Sequence, residues 1–143
     1  MENNAVGKTE MSTLPKIVAV DFDGTLVEDA FPEIGRENPE MFELCKQLKD
    51  QGIRIILWTS RANDNEMRNL DRAVEFCRNK GLEFDAVNEN IKEVREMFGG
   101  DTRKVYADLY IDDKSIPHTM SPSFWADRLG LRFTLGRGVH NAS

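Results

Sequence analysis

The chain has 143 residues, of which 40% are hydrophobic and 31% charged, and its 19 basic and 25 acidic side chains give a net charge of −6. A chain of this length forms one domain and leaves no room for a second. The composition excludes a mainly disordered or fibrous protein. The negative charge provides no long-range attraction to nucleic acid or to anionic membranes.

Neither a membrane span nor a secretory signal is predicted. No stretch approaches the roughly 20 consecutive apolar residues of a span, and the first 14 residues lack the apolar run of a signal peptide. Cys45 and Cys77 lie far apart and have no Cys or His nearby at the spacing of zinc ligands. We therefore expect a cytoplasmic protein with two reduced core thiols and no membrane partner.

The predicted organisation is a flexible tail at residues 1–14, one domain at residues 15–135 and a polar end at residues 136–143. Within the domain, short apolar runs alternate with helical stripes, which predicts an α/β fold: a parallel sheet with helices on both faces. The first run, Ile17–Val20, is unbroken and predicts a central strand that is buried on both sides.

The remaining elements follow in chain order. The first helix has Asn38 as N-cap, Pro39 at its first position, Gly52 after its end, and an apolar face of Met41, Leu44, Cys45 and Leu48. Residues 53–58 predict strand two, and the next helix carries Met67, Leu70, Ala73, Val74 and Cys77 and stops at Gly81. Residues 84–87 predict strand three, residues 105–111 strand four, residues 124–129 a last helix and residues 131–135 an edge strand. Between strands three and four lies a helix capped by Asn90, with Ile91, Val94 and Phe98 inward, ended by Gly99 and Gly100.

Polar residues follow three of the predicted strands. In an open α/β sheet, ligands bind beyond the carboxyl ends of the strands, so these residues are expected to converge. Strand one leads into Asp21, Asp23, Gly24 and Thr25, strand two into Thr59, Ser60 and Arg61, and strand four into Asp112, Asp113 and Lys114.

The four aspartates predict a magnesium site. Carboxylates gathered at one edge repel one another and need a cation unless most are protonated. Mg²⁺ accepts one or two carboxylates, keeps several waters and can hold a phosphate. We therefore expect Asp21, Asp23, Asp112 and Asp113 to bind Mg²⁺ and to attract a phosphorylated substrate.

With that charge in place, two of the aspartates can carry phosphate chemistry. Asp21 can attack phosphorus and form an aspartyl phosphate, and Asp23 can protonate the leaving oxygen and later deprotonate water. Gly24 permits a sharp turn that lets backbone N–H groups approach the phosphate, and Thr59 offers a hydroxyl donor. Further candidates for substrate binding are Thr25, Ser60, Lys114 and Arg61, although Arg61 could instead pair with an acidic neighbour.

Three segments, DFDGTLV, ILWTSR and YIDDK, resemble the motifs of the haloacid dehalogenase-like (HAD) hydrolase superfamily over residues 16–114, roughly two thirds of the chain. The resemblance implies a three-layer, doubly wound parallel sheet. It also implies that Asp21 is the nucleophile and a magnesium ligand, that Asp23 is the acid/base and a carbonyl ligand, and that Thr59 is the second motif. Asp112 and Asp113 match the fourth motif, with Asp112 the direct ligand. The second aspartate of the first motif is similar to that of the family's phosphatases and phosphotransferases.

The lysine of the third motif has three candidates. Lys104 ranks first because RKVYADLYIDD is similar to a run in small family members, although a straight strand would place it about 26 Å from Asp112. Lys92 follows closely, since it lies near the start of the preceding helix where many family members place this residue. Lys114, beside the acidic pair, ranks third.

The chain resembles a capless family member. The gaps between motifs are too short for a cap domain, and residues 28–38, EDAFPEIGREN, resemble the family's flap. The site would then be open unless the tail or a second copy of the chain covers it. An open site suits a phosphate on a bulky carrier such as a nucleic acid end, a phosphoprotein or a sugar polymer, while small esters remain allowed.

The predicted function is a magnesium-dependent phosphomonoester hydrolase. One alternative is a receiver-like phospho-acceptor module, which the order of the motifs opposes because a receiver has its acidic pair after strand one. The other alternative is a non-catalytic binding domain on a HAD scaffold.

Overall fold

The computed structural model describes residues 14–115, 126–127 and 129–131. Its strands are β1 (Ile17–Val20), β2 (Arg54–Leu57), β3 (Ala86–Val87) and β4 (Leu109–Ile111), and its helices are α1 (Pro39–Asp50), α2 (Asn69–Asn79) and α3 (Lys92–Phe98). None of the helices in these residues has the length and hydropathy needed to cross a bilayer.

The four strands form one parallel sheet in the order β3-β2-β1-β4. Val20, the last residue of β1, lies opposite Leu57 of β2 and Ile111 of β4, so these three strands end at the same level. The chain builds β2 and β3 on one side of β1 and then returns to place β4 on the other. The carboxyl ends of β1 and β4 therefore form the switch point where open α/β sheets bind ligands.

Side chains alternate between the two faces of the sheet, and both faces are covered. Val18 and Val20 pack on the side of α1 and α2, together with Ile55 and Leu57. Ile17, Ala19 and Ile56 pack on the other side with Val94 of α3. This arrangement confirms the predicted α/β class with helices on both faces of a parallel sheet.

Strand β1 and the apolar face of α1 lie as predicted. All four residues of β1 are buried, and the four predicted side chains of α1 are buried together with Phe42. Cys45 and Cys77 are free and buried, and burial raises the pKa of each thiol to about 12. Both cysteines are therefore core residues.

The other three strands are shorter than predicted, most of all β4, because residues 105–108 are not in a strand. Two aspartates that precede strands explain the late starts of β3 and β4. An oxygen of Asp108 accepts the backbone N–H of Ile17 at 2.7 Å, and an oxygen of Asp85 accepts that of Ile55 at 2.8 Å. Because each carboxylate takes an N–H that a neighbouring strand would otherwise pair, β3 begins at Ala86 and β4 at Leu109, each directly after its aspartate.

Asn38 is the N-cap residue of α1 and Pro39 begins the helix, as predicted, but the Asn38 side chain forms no capping hydrogen bond and its amide donates instead to the Thr25 carbonyl at 3.3 Å. The prediction of the second asparagine cap is wrong. Asn90 is not the N-cap of α3, which is Ile91. Asn90 is buried and holds the following loop, donating to Asp101 and Thr102 and accepting the N–H of Tyr106 at 2.6 Å. In both cases a tertiary contact uses the amide group.

Two predicted core residues are exposed. Met67 precedes α2 and is 49% exposed, and Phe98 is 54% exposed at the end of α3, where its ring lies 6.5 Å from that of Tyr106. The tail through residue 13 and the polar end lie outside the described residues, as do most of the predicted last helix and edge strand. Within those last two segments, Ala126 and Leu129 are buried in the core.

Candidate active site

Three aspartates meet at the switch point. Carboxylate oxygens of Asp21, Asp112 and Asp113 lie within 4.8 Å of one another, and each residue is partly buried. The backbone holds this geometry, because the N–H of Asp21 donates to the Ile111 carbonyl at 2.9 Å and extends the β1–β4 pairing into the site. We call these three residues the acidic triad.

The triad concentrates negative charge in a partly dry place. The pKa of Asp21 is raised from 3.8 to about 8, chiefly because burial penalises its charged form, and the charges of Asp112 and Asp113 add to the rise. A backbone hydrogen bond from Phe22 opposes it. A carboxyl with this pKa is largely protonated near neutral pH unless a nearby positive charge stabilises its anion.

Asp113 is held against the turn that follows β1. Its N–H donates to the hydroxyl of buried Thr25 at 3.2 Å. Its carboxylate packs on Gly24, where φ is +87° and a Cβ atom would overlap the carboxylate. Oxygen Oδ1 of Asp113 is buried and has no hydrogen-bond partner among the described residues. Thr25 and Gly24, predicted to contact substrate, are used to place Asp113.

Gly24 is part of the turn that follows β1. Its N–H donates to the Val27 carbonyl at 2.8 Å and closes that turn. That N–H is therefore engaged within the protein, and the close approach that the missing side chain allows is to Asp113.

Asp23 is separate from the triad and is paired with Arg61. The guanidinium donates Nε–H to Oδ2 and Nη2–H to Oδ1 of Asp23, both at 2.8 Å. Since both carboxylate oxygens are engaged by one planar group, the orientation of Asp23 is fixed.

Arg61 itself has no donor left for a substrate. Its Nη1 donates to the carbonyls of Pro32 at 3.2 Å and Asn69 at 3.5 Å, and its Nη2 also donates to the Glu33 carbonyl at 2.9 Å. With the two bonds to Asp23, all five N–H groups are satisfied within the chain. Of its two predicted roles, pairing with an acidic neighbour is the one this geometry fits, and substrate binding is not.

The end of β2 supplies Thr59 and Ser60. The hydroxyl of Thr59 accepts the N–H of Arg61 at 3.1 Å, and Ser60 is exposed. The N–H of Thr59 donates to Oδ1 of Asn88 at 2.8 Å. Asn88 was not predicted to contribute, although its position at the carboxyl end of β3 was a signal. Its left-handed backbone, with φ of 55°, places its amide beside Thr59.

The three candidate lysines have different surroundings. The ammonium group of Lys104 lies 5.1 Å from the centre of the Tyr110 ring, that of Lys92 is 3.7 Å from Glu96, and that of Lys114 is 3.7 Å from Asp113 of the triad. Lys114 also donates its backbone N–H to Asp112 at 2.9 Å. The lysine of the third motif remains a prediction among these three.

A cleft of about 680 Å³ opens beside the triad, and its lining includes Asp113 of the triad and the neighbouring Gly24. Its other described walls are the two arms of the flap, residues 28–38, and the start of α1. The arms are joined where the N–H of Glu28 donates to the Arg36 carbonyl at 2.8 Å. Gly35 is required there, because a Cβ atom would overlap the Glu28 carbonyl. The flap is thus an ordered hairpin next to the triad.

The chain matches no family model, and a search of curated proteins found no match. It is similar to a solved structure, that of a conserved protein from Bacteroides thetaiotaomicron, with 38% sequence identity and a TM-score of 0.69. The match covers 82% of this chain and 91% of the Bacteroides chain. The chain belongs to the same family as that protein. The TM-score shows that the two chains share a fold.

Proposed function

We propose that this chain is a magnesium-dependent phosphomonoester hydrolase of the HAD superfamily that works through an aspartyl phosphate on Asp21. The observation that carries the proposal is the acidic triad: three carboxylates from β1 and β4 within 4.8 Å at the switch point of the sheet. The raised pKa of Asp21 supports it, because burial and then the nearby charges of Asp112 and Asp113 disfavour the Asp21 anion, and a bound cation would stabilise that anion.

The residues present fit a magnesium ion. The donor set is oxygen only, as Mg²⁺ prefers, and the buried Oδ1 of Asp113 lacks a partner that a ligand could supply. Asp21 and Asp112 would hold the ion together with the backbone carbonyl of Asp23. Asp113 would lie next to these ligands. Bound there, Mg²⁺ would keep Asp21 ionised and offset charge on the phosphate oxygens.

The reaction is assigned to side chains of this chain. An Asp21 carboxylate oxygen attacks phosphorus, the bond from phosphorus to the ester oxygen breaks, and Asp23 gives its proton to the leaving alkoxide. Water then attacks phosphorus while Asp23 takes up a proton, and the bond to Asp21 breaks to release inorganic phosphate. The Thr59 hydroxyl and one of the three lysines would steady the phosphate oxygens.

The cleft beside the triad would bind the carrier, the part of the substrate to which the phosphate is attached. It is open, so it accepts carriers of different size, and the flap forms one wall. The carrier would lie between the flap arms while the phosphate reaches the triad.

The proposal is tested with p-nitrophenyl phosphate and a panel of phosphate esters in the presence of Mg²⁺. We expect turnover that Asp21→Asn lowers at least a hundredfold, because the nucleophile is lost. The matched control is Asp50→Asn at the far end of α1, with unchanged turnover. An Asp21→Asn variant as active as the parent would contradict the nucleophile assignment. A parent protein that hydrolyses none of the esters in the panel would contradict the proposed hydrolase activity.

The same assay addresses the receiver-like alternative. A receiver carries its phosphorylated aspartate after strand three, whereas Asn88 follows β3 here. A long-lived phosphoryl group on the intact chain, with no turnover, would favour that alternative. Stoichiometric labelling that decays within a catalytic cycle would favour hydrolysis.

A further inference from the structure

Arg61 joins two parts of the site that are distant in sequence. Its side chain is 1% exposed, and its guanidinium lies between the rings of Phe22, at 5.0 Å, and Phe31, at 5.1 Å. A charge buried this deeply costs several kcal/mol unless it is paired and hydrogen-bonded. The contacts of Arg61 are therefore expected to form and break together.

Those contacts reach the flap on one side and Asp23 on the other. The flap is held through the carbonyls of Pro32 and Glu33, and Asp23 is held through both of its oxygens. The guanidinium is a rigid planar fork, so it cannot turn away from one set of acceptors and keep its geometry with the other.

We propose that Arg61 is a positioning residue that couples the conformation of the flap to the orientation of the Asp23 carboxylate. This inference rests on the proposed function, because it assigns Asp23 as the group that exchanges protons with substrate. Asp23 can turn an oxygen toward a leaving group only when Arg61 shifts, and Arg61 can shift only when the flap carbonyls release it. Movement of the flap over a substrate thus determines when Asp23 acts.

Hydrogen exchange of flap amides tests the coupling on metal-free protein. The reporters are the N–H groups of Glu28 and Asn38, which donate to Arg36 and Leu26 at the base of the flap. We expect both to exchange at least five times faster in Arg61→Lys, since a lysine cannot reach both sets of acceptors. Asp23→Asn should accelerate them too, because coupling between two sites is reciprocal.

The matched control is Arg54→Lys. Arg54 also forms a two-bond pair with a carboxylate, Glu93, at 2.6 and 3.3 Å, but it lies at the amino end of β2, away from the site. Its variant should leave the two reporters unchanged. Unchanged exchange rates of the two reporters in Asp23→Asn would overturn the coupling, because the conformation of the flap would then not depend on Asp23.

Steady-state kinetics on the magnesium-loaded enzyme provide the second readout. Arg61→Lys should lower kcat about tenfold or more while KM changes less than about threefold, because a misplaced acid/base group weakens chemistry more than binding. Arg54→Lys should change neither. An Arg61→Lys variant with the kinetics of Arg54→Lys would overturn the positioning role.

A third variant keeps the inference testable if Arg61→Lys does not fold. Phe31 is 56% exposed, so Phe31→Ala removes the ring over the guanidinium without opening the core. Faster exchange of the two reporters in this variant supports the coupling, and unchanged exchange overturns it. Failure of the proposed function would appear separately, as an inactive parent enzyme whose exchange rates still respond to Asp23→Asn.

Discussion

At the scale of single residues, Gly24 is the position where the backbone conformation most directly affects the geometry of the acidic triad. Its φ of +87° and its contact with the Asp113 carboxylate both exclude a side chain. Gly24→Ala should therefore displace Asp113 as well as strain the turn. We expect a stability loss of about 1 kcal/mol together with at least a tenfold weaker affinity for Mg²⁺, measured by urea unfolding and calorimetry.

Gly52→Ala is the matched control for that experiment. Gly52 has nearly the same φ, +86°, and a Cβ atom there would meet nothing within 4 Å. Its variant should lose stability from backbone strain alone, no more than Gly24→Ala loses, and should keep the affinity for Mg²⁺. Equal magnesium affinity in the two variants would show that Asp113 does not need the space at Gly24.

Asp21 predicts a dependence of stability on pH. Its pKa is about 8 in the folded chain and near 3.8 when unfolded. Between these values the folded chain binds more protons, so the free energy of unfolding falls as pH rises from about 4 to 8. In metal-free protein we expect the Tm to drop by roughly 5 °C between pH 5 and pH 8.

Two comparisons isolate Asp21 as the cause of that drop. Asp21→Asn is neutral at every pH, so its Tm should change less over the same range and exceed that of the parent at pH 8. Saturating Mg²⁺ should flatten the parent's curve by favouring the ionised carboxylate. A parent and an Asp21→Asn variant with parallel curves would show that other groups produce the slope.

The positions of the three triad aspartates could be predicted from sequence, whereas their supports could not. Asp21, Asp112 and Asp113 each follow an apolar run, and parallel strands bring such residues to one edge. The roles of Arg61 and Thr25 depend on which acceptors and donors the flap and the β4 loop bring near them. Those contacts span 28 to 88 residues of sequence, which no local pattern encodes.

At the scale of elements, buried runs were predicted better than their ends. β1 has the predicted bounds because an unbroken apolar run has a sharp edge on both sides. Residues 105–111 were predicted as one strand, yet β4 begins at Leu109. The run contains Asp108, whose side chain pairs with the N–H of Ile17 in place of a backbone carbonyl. A hydropathy pattern cannot indicate that a carboxylate will accept a hydrogen bond in place of a backbone carbonyl.

Asp108 therefore supports the start of the central strand. Asp108→Ala would leave the N–H of buried Ile17 without its acceptor, at a cost of about 1 to 3 kcal/mol. Urea unfolding at neutral pH measures this loss. Asp108→Asn keeps an acceptor oxygen in the same place and should lose less than half as much. Equal losses in the two variants would mean that the charge of Asp108, and not its hydrogen bond, matters.

At the scale of the whole molecule, the distribution of charge bears on which carriers the cleft accepts. Its described walls include carboxylates of Glu28, Asp29, Glu37 and Asp113, and its cation Arg36 is paired with Glu28 at 3.2 Å. The chain as a whole carries a net charge of −6. Of the carriers expected from an open site, a nucleic acid end is thus disfavoured and an uncharged, hydroxyl-rich carrier is favoured.

A matched pair of substrates tests this preference. Glucose 6-phosphate and 6-phosphogluconate both release a primary alcohol, but only the second has a carboxylate on its carrier. We expect kcat/KM to be about tenfold higher for the neutral carrier, equivalent to about 1.4 kcal/mol. Raising the salt concentration should reduce the ratio by screening the repulsion.

Variants locate the source of the preference. Replacing Glu28 and Asp29 together by Gln and Asn should lower the ratio toward one, whereas Glu75→Gln on the exposed side of α2 should leave it unchanged. Equal kcat/KM for the two esters in the parent enzyme would show that the carrier lies outside the cleft. If neither salt nor the paired substitution changes the ratio of the two kcat/KM values, the selectivity comes from the shape of the carrier, because an electrostatic barrier has to respond to both.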